Sequence, residues 1–183
     1  MLVIHPEDRT TAMLSKLYAG LDGVRHVDQT YSNAEVRHIL NHTSSDELIM
    51  MLGHGSDLGL FSRMDDRSGL FDRIIIGHSH AYYLHRHPGH LVGIWCNADL
   101  FARKEGLHGL FSGMIITEMD EAQMYGIETS PGELYVENDR LADNLRGMLD
   151  LKIPLCDIPR QMLKADNVHS PLTEFNYHNF YYL

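Results

Sequence analysis

An α/β fold, with a mainly parallel sheet and helices on both faces, is what the sequence predicts, and three observations predict it. Along the first half, short apolar runs alternate with stretches of helical spacing. Two of those runs, Glu47 to Leu52 and Leu91 to Trp95, are strongly apolar and short enough to be buried strands. Glycines, prolines and capping residues punctuate the boundaries between them.

Taken in order, Leu2 to Ile4 reads as a first strand, and Asp8 to Gly20 as a helix with Ala12, Met13, Leu17 and Tyr18 on its inner face. Val24 to Val27 reads as a second strand, set off by Gly20 and Gly23. Ser32 with Glu35 three residues on forms a capping box for a helix reaching Leu40, and Glu47 to Leu52 is the third strand, ending at Gly53-His54-Gly55. Gly59 to Ser62 and Leu70 to Ile76, joined by a polar turn from Met64 to Gly69, read as a hairpin, or Ile74 to Ile76 as another sheet strand. Ser79 caps a short helix through Leu84, which His87-Pro88-Gly89 stops before the fourth strand, Leu91 to Trp95. A helix over Ala98 to Lys104, a fifth strand over Gly113 to Thr117 and a helix from Asp120 to Tyr125 follow. Beyond Ile127 the texture changes: Leu134 to Val136 reads as an edge strand, Asn138 to Leu149 as a helix, and Pro154, Pro159 and Pro171 break up the rest. The aromatic tail Asn176 to Leu183 is expected to pack on the body or on a partner, including a second copy of the chain. The whole is expected to be one domain, with a core sheet over 1–127 and the edge strand, helix and tail over 128–183.

The 183 residues carry 25 acids against 15 bases, a formal charge of −10. Binding to nucleic acid or to an anionic membrane needs clustered Lys and Arg, so both are excluded as expected partners. No apolar run reaches the roughly 18 residues needed to cross a bilayer. Two cysteines and an opening without signal-peptide form predict a reducing, cytoplasmic setting. No cofactor is expected. Thirteen histidines are the one compositional oddity.

Two residues follow apolar strands and fit no core role: His54 after Leu48 to Gly53, and Cys96 after Leu91 to Trp95. Ligands bind at the carboxyl edge of an open parallel sheet, and neighbouring strands are only about 4.8 Å apart. A thiol of ordinary pKa is mostly protonated at neutral pH, and a nearby imidazole can hold the thiolate or carry its proton to a leaving group. A His and a Cys so placed are the minimum for a cysteine nucleophile.

A hydrophobic block ending in His54-Gly55, followed about 40 residues later by a second ending in Cys96, resembles the caspase-like cysteine peptidases, the fold shared by caspases, metacaspases, legumains, clostripain and gingipains. Gly59-Leu60-Phe61 resembles the hairpin after the family's His-Gly, and Ala81 to Leu84 the helix before its Cys strand; the resemblance covers residues 1–127. It implies that Cys96 attacks a peptide carbonyl, that His54 protonates the leaving amine, and that the backbone N–H groups of Gly55 and Cys96 form the oxyanion hole. The substrate would be a protein or peptide; the residues that bind it are not implied. Cys96 is followed by Asn97-Ala98-Asp99, and Ile94 stands where metacaspases place an acid. Asp57, Asp99, Glu118 and Asp120 lie near expected strand ends and are candidates for an acidic pocket.

Other classes compete with this one. A catalytically inert caspase-like module would use the same cleft, or the tail, to bind a protein. Gly77-His78-Ser79-His80, within the cluster His78, His80, His85, His87 and His90, resembles the closing Gly-His-x-His of metallophosphoesterases. The earlier segments of a bimetal set are not supplied by His5-Pro6-Glu7-Asp8 or Gly53-His54-Gly55, so no metal site is expected. His80 and His87, seven apart, could share a helix face. A phosphate-cradling loop is missing after the first strand, and a receiver domain would want Asp where His54 stands.

Overall fold

The computed structural model describes residues 1–63 and 71–183, and of Asp72 only the backbone; the polar turn expected over Met64 to Gly69 lies outside them. In chain order the strands are β1 (Leu2–Ile4), β2 (Arg25–Val27), β3 (Ile49–Leu52), β4 (His54–Ser56), β5 (Gly59–Arg63), β6 (Phe71–Ile76), β7 (Leu91–Ile94), β8 (Gly109–Ser112) and β9 (Phe180–Tyr182). The helices are α1 (Asn33–Asn41), α2 (His78–Leu84), α3 (Ala98–Glu105), α4 (Met119–Met124), α5 (Pro131–Asp150), α6 (Ile158–Ala165) and α7 (Pro171–Tyr177), with a 3-10 helix over Ala12–Leu17.

Six strands form one sheet in the order β2-β1-β3-β7-β8-β9. The first five are parallel to one another, and β9 closes the edge antiparallel to β8. Alternate residues of the central strands feed two cores, as a period of two requires. Leu2, Ile4, Ile49, Met51 and Leu91 pack with Val36, Leu40, Leu84 and Phe101 from α1, α2 and α3. Val3, Met50, Leu52, Val92 and Ile94 pack with Leu14 and Leu17 of the 3-10 helix, Leu141 and Leu145 of α5, and Met162 of α6. The expected α/β architecture, mainly parallel with helices on both faces, is therefore present. The remaining strands, β4-β5-β6, form a separate antiparallel sheet immediately after β3.

Several elements depart from expectation for local reasons. The first helix shrinks to Ala12–Leu17, with Leu14 and Leu17 buried, because the Asp8 carboxylate takes the backbone N–H groups of Thr10 and Thr11 and holds that stretch in a turn. The fifth strand is Gly109–Ser112 rather than Gly113 to Thr117. Ile116 instead exchanges hydrogen bonds with the buried Asn176 side chain, its N–H to Oδ1 at 2.8 Å and its C=O from Nδ2 at 3.1 Å. An amide side chain thus satisfies the backbone that a ladder would have satisfied. Leu134 to Val136 is not an edge strand but part of α5, which Ser130 caps by accepting from Glu133 N, with Pro131 in the first turn. The edge strand comes from the tail, so the sheet extends beyond residue 127. Tyr177 and Phe180 are buried there, and the tail packs on the body. The capping box at Ser32 and Glu35 is formed as expected, whereas the N-cap of α2 is Gly77, not Ser79.

Candidate functional site

The sheet order places β1 between β2 and β3, so the chain switches direction across the sheet there, and a crevice opens at the carboxyl ends of such strands. Asp8 and Thr10 follow β1, His54 follows β3, and Cys96 follows the adjacent β7. Leu52 and Ile94 are paired in register, so His54 and Cys96 each stand two residues beyond a matched pair.

Local backbone explains how each gets there. Gly53 N–H donates to the Ile94 carbonyl at 3.0 Å, the last bond of the parallel ladder, and its φ of 140° turns the chain out of the sheet into β4. That conformation favours glycine. On the other strand, Ser112 Oγ bridges Trp95, accepting from its N–H at 3.0 Å and donating to its C=O at 2.8 Å. Asn97 then adopts the left-handed conformation, φ 66°, and α3 begins at once. Cys96 therefore occupies a sharp strand-to-helix turn. The Trp95 indole donates Nε1–H to the Ser56 carbonyl at 3.0 Å and lies over Gly55, where a Cβ would come within 2.2 Å of its ring. Close packing by Trp95, and by the Gly59 carbonyl at 2.3 Å, is the structural reason that residue 55 is glycine.

His54 is buried and fully engaged through one nitrogen. Its Nε2 lies 2.7 Å from Thr10 Oγ1 and 3.0 Å from Asp8 Oδ2, while its ring packs 5.6 Å from that of Phe71. Asp8 Oδ1 accepts from Thr10 N at 2.9 Å, Thr11 N at 3.0 Å and both threonine hydroxyls. Arg63 joins the group: its Nε faces Asp8 Oδ2 at 3.3 Å, its Nη2 donates to Glu118 at 2.8 Å, and its guanidinium lies over the Phe71 ring. Burial alone would push the Asp8 carboxyl up, but the hydrogen bond and charge of His54, the Thr10 hydroxyl and the Arg63 charge together hold it well below the usual carboxylate range. Asp8 is an anion throughout the neutral range.

Cys96 sits in a different set of contacts. Its thiol faces the Ile115 carbonyl at 3.6 Å and Glu121 Oε1 at 3.8 Å. Glu121 is in turn pinned by Thr117 N at 2.7 Å and Glu118 N at 3.0 Å. Burial, then the Glu121 charge, pushes the thiol up to about 12. Among the described residues no hydrogen bond joins Cys96 to His54; the two share a sheet edge, and each is held by its own carboxylate. A cleft of about 620 Å³ is lined by Thr10, Glu118, Asp120, Leu134, Tyr135 and other residues; it reaches Thr10, the partner of His54, but neither His54 nor Cys96 lines it.

The remaining candidates are dispersed. Of the acids, Glu118 and Asp120 reach this cleft, whereas Asp99 is paired with Arg103 on α3 and Asp57 is exposed in the β4–β5 turn. His80 and His87 are buried, but α2 ends at Leu84, so they do not share a helix face; His78 is exposed and paired with Glu105. Among the described residues no group of three or more His, Cys, Asp or Glu is placed to hold a metal ion, and no helix is long and apolar enough to cross a membrane. Asp8, Thr10, Arg63 and Glu121 were not singled out by sequence reasoning. Asp8 had one available signal, an acid just after the first strand.

No family model, curated protein or solved structure matches the chain.

Proposed function

We propose that this chain is a caspase-like cysteine endopeptidase in which Cys96 is the nucleophile and His54 the proton carrier. The observation that supports it is the paired placement of these residues, each two positions beyond the register pair Leu52 and Ile94 on adjacent parallel strands. The order of parts also supports this reading: an antiparallel β4-β5-β6 unit that begins at His54-Gly55, and α2 before β7, which Cys96 follows.

In this reading the thiol starts protonated. As Sγ bonds to the carbonyl carbon of a scissile peptide, its proton passes to the His54 imidazole, and negative charge develops on the carbonyl oxygen. The N–H groups of Gly55 and Cys96 are the proposed donors to that oxygen. Collapse of the adduct breaks the C–N bond, and the imidazolium gives its proton to the departing amine. Water then hydrolyses the thioester and restores thiol and acid. A polypeptide laid along the cleft between the 3-10 helix and α5 would pass Thr10, the partner of His54, and Glu118, the partner of Arg63.

One observation favours a second reading, the inert binding module: the Cys96 thiol is held protonated against Glu121. Incubation of the full chain with an unfolded polypeptide mixture, scored by new amino termini, separates the two. The peptidase reading expects cleavage by wild type and none by Cys96→Ala or His54→Ala. Equal silence from all three favours the module.

A further inference from the structure

The hydrogen bonds around His54 single out one of its nitrogens. Asp8, ionised, can only accept, and its Oδ2 faces His54 Nε2 at 3.0 Å. The Thr10 hydroxyl donates to Asp8 Oδ1 at 2.9 Å, so at 2.7 Å from Nε2 it too acts as an acceptor. With the Thr10 proton given to Asp8 Oδ1, Thr10 Oγ1 is the acceptor facing Nε2 and Asp8 Oδ2 an anionic neighbour, and both favour a proton on Nε2. Nδ1 makes no hydrogen bond among the described residues. The carboxylate and imidazole side chains are only 5% and 7% exposed, so solvent does little to loosen the arrangement.

We propose that Asp8 is the positioning residue of this site, its carboxylate locking the His54 proton on Nε2 so that Nδ1 is the nitrogen that exchanges protons with Cys96. The inference rests on the reading of Cys96 and His54 as the acting pair. A buried carboxylate that orients an imidazole also stabilises the imidazolium formed when the thiol gives up its proton. Arg63 is the counterweight. It shares Asp8 Oδ2 at 3.3 Å and draws on the same negative charge, while Glu118 balances its other face.

The charged and titratable groups near His54 and its partners, among the described residues, come from four sides. From the β1 side come Asp8 and His5, with His26 of β2 beside His5; from β5 comes Arg63; from the start of α4 come Glu118 and Glu121; and Cys96 follows β7. Among the described residues Asp8 is the one carboxylate paired with the ring.

The test is the tautomer of His54, read from the imidazole nitrogen resonances of the 15N-labelled full chain in wild type, Asp8→Asn and Arg63→Gln. Asparagine retains an acceptor for Thr10 and Thr11 but can turn an NH₂ group toward Nε2. The expected result is the Nε2–H tautomer in wild type and a change to the Nδ1–H tautomer in Asp8→Asn. Arg63→Gln, which leaves the carboxylate in place, is expected to keep the Nε2–H tautomer. A general loosening of the fold does not separate the two variants in this way, and wild type remains informative if Asp8→Asn does not fold. An Nδ1–H tautomer in wild type, or an unchanged tautomer in folded Asp8→Asn, overturns the assignment of Asp8. Alkylation of Cys96 that is indifferent to His54→Ala, with the tautomer result intact, overturns instead the reading on which the proposal rests.

Discussion

Trp95 Nε1 donates a hydrogen bond to the Ser56 carbonyl at 3.0 Å, which ties the residue before Cys96 to the residue two beyond His54. The two strand ends are thus fastened to each other outside the sheet ladder, with Gly55 flat beneath the indole. Trp95→Phe, which keeps an aromatic ring and removes the donor, is expected to lower stability by about 1–2 kcal/mol. Gly55→Ala forces a methyl group against the indole and the Gly59 carbonyl, and is expected to cost more, about 3 kcal/mol or above. Urea midpoints of the two variants check the order.

The Cys96 thiol is expected to be a slow nucleophile at rest. At pH 8.5 iodoacetamide should modify the exposed Cys156 before Cys96, whose thiol burial and Glu121 push up to about 12. Glu121→Gln removes the charge and keeps an acceptor for Thr117 and Glu118; it is expected to accelerate modification of Cys96 about tenfold, the effect of one pKa unit. Peptide mapping by mass spectrometry reads both sites.

Acid lability is expected, with His5 as a named contributor. Burial, followed by the neighbouring His26, lowers its pKa to about 3 from a usual 6.5, although the Asp8 charge works the other way. The unfolded chain therefore binds a proton that the native chain refuses between those values, and stability falls as pH drops from 6.5 toward 3. At about 1.4 kcal/mol per unit this amounts to several kcal/mol. Burial lowers His80 and His87 in the same direction. Asp8, depressed in the fold, adds its own loss only below its unfolded value, near pH 4. Urea midpoints between pH 7.5 and 4.5 should fall steadily, and His5→Phe should flatten the slope.

Asn176 holds the segment that supplies the Ile115 carbonyl to the thiol. Its side chain bonds both backbone groups of Ile116 and also Asn138 Oδ1 at 3.2 Å, all in buried surroundings. Asn176→Ala strands these groups and is expected to destabilise the protein by about 2–4 kcal/mol. Native-state hydrogen exchange should show lost protection at Ile116 N–H first.

The parallel sheet and the two strand-end residues were legible in the sequence because strongly apolar runs, interrupted by His54 and Cys96, announce both a strand and its end. Ser32 and Glu35 were legible because a capping box is local. What was missed was settled by distant partners. Ile115 and Ile116 look like a strand, and only Asn176, 60 residues on from Ile116, replaces the ladder there. Leu134 to Val136 has a strand's composition, but Ser130 and Pro131 start a helix that continues along a buried face through Leu141 and Leu145. Asp8 meets His54 across 46 residues and Arg63 across 55, a convergence created by the β1–β3 switch point and the β4–β5 pairing.

Whether His54 serves Cys96 is read most directly from covalent capture by a mixed-sequence set of peptidyl acyloxymethyl ketones, scored as adduct mass and position in wild type, His54→Ala and Cys96→Ala. A wild-type adduct on Cys96 is expected, formed about a hundredfold more slowly in His54→Ala, the lower end of what a general acid–base partner contributes. A Cys96 adduct formed at the same rate without His54, or adducts confined to Cys156, would contradict that role of His54.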